Sequence, residues 1–186
     1  MTLSQQYEQY GYHSITIGEY NTWNDWRMIP DEPPTVVPPV PVRNSFEIPG
    51  RDGELDITES LDYRIHYGNR KGNWKFYINH ERLWDDEHTK RLLSQDPLTG
   101  GLRFELQKYW RDLSERIYGQ KTSVYLNDDA YAYGRLESIP FYMGRVWVSA
   151  ISPDRSHSIV TLNYDLLPYR YSQYDPTNEN AGRVGL

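Results

Sequence analysis

Five histidines, His13, His66, His80, His88 and His157, are the first residues to test for chemistry. None falls in an HxH or HExxH spacing, so no pair is placed to share a metal from one strand or one helical turn. Carboxylates are abundant but scattered, and an acid/base hydrolase would need two of them facing each other across a cleft. Asp52-Gly53-Glu54-Leu55-Asp56 has the flavour of a calcium loop but lacks its ligand spacing and its terminal Glu. The chain has no GxSxG and no glycine-rich phosphate loop, and Gly11, Gly18, Gly68 and Gly72 read as turn glycines. With no cysteine, disulfides, thiolate metal sites and thiol nucleophiles are excluded. The sequence therefore predicts no catalytic residue, no cofactor and no metal.

What must be explained instead is the composition. The chain has 186 residues, a formal net charge of −6, 17 tyrosines and 6 tryptophans. That charge favours solubility and disfavours a nucleic-acid grip made of Lys and Arg. No apolar run approaches a membrane span, and Met1 to Gln6 lacks the basic and apolar regions of a leader, so a soluble protein made in a cytoplasm is expected. Aromatic residues favour strands and are enriched at interfaces and sugar-binding surfaces. Together these features point to a β-rich assembly protein of one domain.

The elements centre on Phe46 to Glu59. Phe46 and Ile48 alternate with polar residues before a turn, and Leu55 and Ile57 alternate with them after it. Pro49-Gly50 suits a type II turn and Asp52-Gly53 a hairpin or bulge, with Gly53 at positive φ. A simple register places Phe46 opposite Ile57, Ile48 opposite Leu55, and Glu47 opposite Asp56, a like-charge pair that Arg51 or another cation would relieve. Before this hairpin, His13 to Ile17 reads as a short strand. Trp23 and Trp26 share one side of a helical turn, either as a hydrophobic cluster under a loop or, less favourably, as a sugar platform. Asp31 to Val42 carries five prolines and four valines, which makes it an edge strand or an extended arm. Trp23, Trp26, Val36, Val37, Val40 and Val42 are the candidate subunit interface, within an arm or belt region spanning 18–45.

After the hairpin, strands at 63–67 and 74–78 flank a basic loop from Gly68 to Asn73. Leu102, Leu106, Tyr109, Trp110, Leu113 and Ile117 recur at helical spacing, predicting a helix to about Tyr118 capped by Gly119. Four strands follow, at 121–126, 131–138, 145–151 and 158–166, and 172–186 reads as a polar tail.

Ile48-Pro49-Gly50-Arg51-Asp52-Gly53-Glu54-Leu55-Asp56-Ile57-Thr58-Glu59, with Asp165-Leu166-Leu167-Pro168-Tyr169-Arg170-Tyr171 near the end, resembles the distal tail proteins of long-tailed, non-contractile phages. The order of the other elements is similar in outline. The resemblance implies a tail-tube-like β-sandwich or partly closed barrel with one packed helix, over residues 1–171. It implies a homohexameric ring in the virion that joins the tail tube protein to the tail-tip apparatus, with DNA only as passing cargo in the lumen. Many relatives carry a second, carbohydrate-binding-like domain after the ring domain, and the resemblance here is to the short form, expected to be without it. Pro49, Gly50, Arg51, Asp52 and Gly53 match the motif and are assigned a structural role. The lumen of such a ring is expected to be acidic or neutral, with Arg70, Lys71, Arg103 and Arg111 on faces that meet other subunits or the tail. The rival reading from the residues is a carbohydrate-binding β-sandwich module that uses Trp23, Trp26, Trp74, Trp84 and the tyrosines.

Overall fold

The computed structural model describes residues 13–43, 45–47, 54–56, 66–80, 102–128, 140–153 and 157–171. Nine strands and one helix are found among them: β1 Ile15–Ile17, β2 Tyr20–Asn21, β3 Ile29–Pro30, β4 Ser45–Glu47, β5 Glu54–Asp56, β6 Arg70–Asn79, α1 Leu102–Arg116, β7 Tyr118–Leu126, β8 Phe141–Pro153 and β9 His157–Tyr171. Seven strands form one sheet in the order β2-β1-β7-β8-β9-β6-β3, and β4 pairs with β5 separately. The large sheet is antiparallel throughout and curls into a half-barrel. The expected class, mainly β with a packed helix, is the class found.

Period-two burial builds the sheet. Ser158, Val160, Leu162, Tyr164 and Leu166 of β9 are buried, while the residues between them are half-exposed. Trp74, Phe76 and Ile78 of β6 lie on the same face, with Tyr142 and Val146 of β8, Val124 and Leu126 of β7, and Ile15 and Ile17 of β1. Helix α1 covers this face with Leu106, Tyr109 and Leu113, and Ile117 just beyond it continues the stripe. The helix ends at Arg116 rather than Tyr118. Gly119 does adopt positive φ (91°), but inside β7, where the strand is irregular between Tyr118 and Lys121.

The paired indoles sit in a helical turn capped at both ends. Asn21 Oδ1 accepts from the backbone N–H groups of Trp23 and Asn24, each at 2.9 Å. Arg27 closes the turn at φ 51°, and its Nη1 donates to the carbonyls of Trp23 and Asn24 at 2.8 and 2.6 Å. The turn thereby delivers Trp26 into the core beneath α1, where the Tyr109 hydroxyl donates to the Trp26 carbonyl.

Two expected arrangements are corrected. The β4–β5 register is Ser45↔Asp56, Phe46↔Leu55 and Glu47↔Glu54, shifted from the simple one. The strand expected from 74 to 78 starts at Arg70 and pairs along its whole length with β9, from Arg70↔Leu166 to Asn79↔His157. Most of the basic loop is therefore strand. Arg70 and Gly72 are in phase with Trp74, Phe76 and Ile78, so the buried face simply continues through them. Gly72 lies opposite Tyr164, and an added Cβ would come within 2.7 Å of Tyr164 Cζ. The missing side chain lets that ring lie across the strand and stack on Trp74 at 4.2 Å. Tyr67, expected to belong to a hairpin, bridges instead to Pro41. The turn residues Pro49 to Gly53, the strand expected at 131–138 and the polar tail at 172–186 lie outside the described residues.

Candidate functional site

The proline–valine stretch covers the end of the core face that α1 leaves open. β3 pairs with Tyr77 and Phe76 at the sheet edge, and the Asp31 N–H donates to the Lys75 carbonyl at 3.0 Å. The chain then turns inward, because proline cannot extend an edge ladder. Trp74 Nε1 donates to the Thr35 carbonyl at 2.7 Å, and the Val37 N–H donates to the Tyr164 hydroxyl at 3.1 Å. Pro34 is buried and Val36 packs against the core. Farther on, the Gly68 N–H donates to the Val40 carbonyl at 2.9 Å and the Val42 N–H to the His66 carbonyl at 2.7 Å. The arm thus has a partner in its own sheet. A cleft of about 300 Å³ remains between arm and sheet, lined by Asp31, Glu32, Thr35, Asn73, Trp74 and Lys75 among others.

Arg70 is enclosed beneath the arm, 5% exposed. Its Nε donates to the Pro168 carbonyl at 2.8 Å and its Nη1 to the Val37 carbonyl at a long 3.3 Å. Nη2 is buried with no hydrogen-bond partner among the described residues. The guanidinium lies 5.4 Å from the centre of the Tyr142 ring, and the Arg170 guanidinium lies 5.1 Å from the same ring, donating to the Tyr142 hydroxyl at 2.6 Å. Burial lowers the Arg70 pKa, and the Arg170 charge adds to that effect. Among the described residues no carboxylate forms an ion pair with Arg70.

The face of the sheet opposite α1 carries a different pattern. The registers align Lys121, Arg145, Asp165 and Lys71 in one row across β7, β8, β9 and β6. Lys71 Nζ lies 3.4 Å from Asp165 Oδ2, and Arg145 Nη1 donates to the Gly119 carbonyl at 2.8 Å. The next row is Tyr118, Trp147, Asn163 and Asn73.

The sequence candidates are distributed unevenly over these surfaces. Val37, Val40 and Val42 are exposed at 48%, 69% and 41%, and form the outer side of the arm. Trp23 and Trp26, 4% and 1% exposed, are correctively placed inside the chain, where neither can form a subunit contact or a sugar platform. Arg70 is likewise enclosed beneath the arm rather than displayed on the outer surface, whereas Arg111 is exposed on α1. Arg70 was not singled out for chemistry by sequence, although its even-numbered phase with Trp74, Phe76 and Ile78 marks it as inward-facing.

His80 Nε2 lies 2.7 Å from Ser158 Oγ, a distance that suits a base and a nucleophile. Both residues are buried, at 3% and 0%, so the contact serves the core rather than a substrate. No group of three metal-binding side chains occurs among the described residues. The arrangement can hold an anion or a partner surface. Comparison of the chain with protein families, curated proteins and solved structures finds no match.

Proposed function

We propose that this chain is a structural, non-enzymatic virion subunit that closes into a hexameric ring at the distal end of a phage tail and joins the tube to the tail-tip apparatus. The observation that carries the reading is the half-barrel: one curled sheet that, among the described residues, is covered by helix and arm on one face, with unequal ends. On the side of β7 opposite β8, β1 reaches only Val124 to Leu126, with the Gly18 N–H donating to the Ser123 carbonyl, and no described strand pairs there with Tyr118 to Thr122. Such edges are a liability in a lone β protein, and ring closure covers them. The motif from Ile48 to Glu59 and the closing Asp165 to Tyr171 supply the resemblance to distal tail proteins. The carbohydrate-binding alternative is not favoured, because Trp23, Trp26 and Trp74 are buried and offer no platform. The test is the mass of the purified protein in solution, with electron microscopy of the same sample. Rings of six are expected, and a strict monomer at high concentration would overturn the reading.

A further inference from the structure

We propose that the sheet end at Arg70 receives a carboxylate, from an Asp or Glu side chain of a second copy of this chain docked over the Val37–Val42 strip. The proposal rests on the ring reading for the identity of the partner, but its core is a local imbalance. A guanidinium does not lose its proton in a protein, so burial leaves a full positive charge in place. Arg70 meets two carbonyls, one of them at the stretched distance of 3.3 Å, and its Nη2 finds no hydrogen-bond partner among the described residues. Arg170, another cation, lies over the same Tyr142 ring. Buried charges are normally paired, and an orphaned donor in this position is rare.

A carboxylate fits the vacancy in shape as well as charge. Nε is committed to Pro168, which leaves the Nη1–Nη2 edge of the guanidinium, and two parallel N–H···O bonds are the favoured contact there. The incoming oxygens would replace the long Val37 carbonyl contact, so the arm has only one weak bond to surrender at that point. The outer surface of the same arm is an exposed apolar strip, Val37, Val40 and Val42, stapled by Val40 and Val42 to the segment leading into Arg70. An arginine under an apolar rim is the composition of an interface centre. A second copy is the matching partner by charge, since the chain has 26 acidic residues against 20 Lys and Arg.

The test compares wild type with Arg70→Met by sedimentation over a concentration series. Both are also melted in sodium acetate and in sodium chloride at matched ionic strength, acetate serving as the probe carboxylate. Arg70→Met is expected to associate at least tenfold more weakly, while a dilute sample in chloride melts within about two degrees of wild type. Acetate should raise the melting temperature of wild type but not of the variant. If wild type forms rings and the variant forms them equally well, the site assignment fails while the ring reading stands. If wild type is monomeric, the ring reading fails, and the acetate arm still judges the site. Equal acetate response in both proteins, or a variant that melts far lower or does not fold, means that Arg70 is already compensated within its own chain and overturns the proposal.

Discussion

At the level of single residues, the fold depends on places where a side chain is missing or hidden. Gly144 of β8 faces the backbone of β9, and an added Cβ would meet the Asp165 carbonyl and lie 2.6 Å from Leu166 Cα. Backbone cannot swing aside as a flexible side chain can. Gly144→Ala should therefore cost about 1–3 kcal/mol, read as a lower urea midpoint at unchanged slope. Tyr109 is the second case. It projects from α1 into the core with its hydroxyl on the Trp26 carbonyl, and burial holds its pKa well above the ordinary tyrosine value. The unfolded chain loses this proton near pH ~10 while the folded chain keeps it, so above that pH the folded state binds more protons. The stabilisation is complete below the unfolded pKa and is lost as pH rises through the folded one. Alkaline melts of wild type should fall above pH ~10, and Tyr109→Phe should flatten that fall at a neutral-pH cost of about 1 kcal/mol from the orphaned carbonyl. A variant with the same alkaline slope would exclude Tyr109 as the cause.

At the level of elements, the arm is held by few bonds, and this is measurable. The Val37 N–H is protected by the Tyr164 hydroxyl, so Tyr164→Phe should speed exchange of that amide tenfold or more while core β9 amides stay slow. Uniform acceleration would mean instead that the whole sheet had been weakened. What was legible in the sequence follows the same division. The alternation of β9 and the stripe Leu106, Tyr109, Leu113 and Ile117 were readable because burial imposes a period on apolar residues. The start of β6 was not, because Arg70 and Gly72 look like loop residues until Tyr164 is known to lie across them. The spacing of Trp23 and Trp26 gave the helical turn but not the direction it faces, which depends on α1, more than seventy residues away in the chain. The β4–β5 register was equally beyond reach. Glu47 opposes an acid in either alignment, Asp56 in one and Glu54 in the other, so charge could not choose.

For the molecule as a whole, the distribution of charge bears on how a ring would be oriented. Lys71, Lys121 and Arg145 share a row on the face opposite α1 with Asp165 as the one carboxylate among them. Sixfold repetition would turn that row into a basic girdle, and each cation that neutralises a phosphate adds salt-dependent affinity for DNA. A conduit must let DNA slide. The expected outcome is therefore that coordinates of an assembled ring show these three cations against a neighbour or the tail, with carboxylates paired to them. If they line the channel unpaired, either the conduit role or the requirement for a non-adhesive wall is wrong.

The strand order has a consequence for how the chain is made. β9 lies between β8 and β6 near the middle of the sheet, yet it is the last of the strands to leave the ribosome. β6 must wait for it, and β3 pairs in turn with β6, while β1 has only the two-residue β2 beside it until β7 arrives. The early half of the polypeptide is thus synthesised with its pairing edges unsatisfied, at a pace of roughly 5–20 residues per second. During that interval nascent chains on one message are near neighbours with matching unpaired strands. Slowing synthesis should lengthen this exposure rather than assist folding, and the soluble yield should fall when rare codons are placed between β6 and β9.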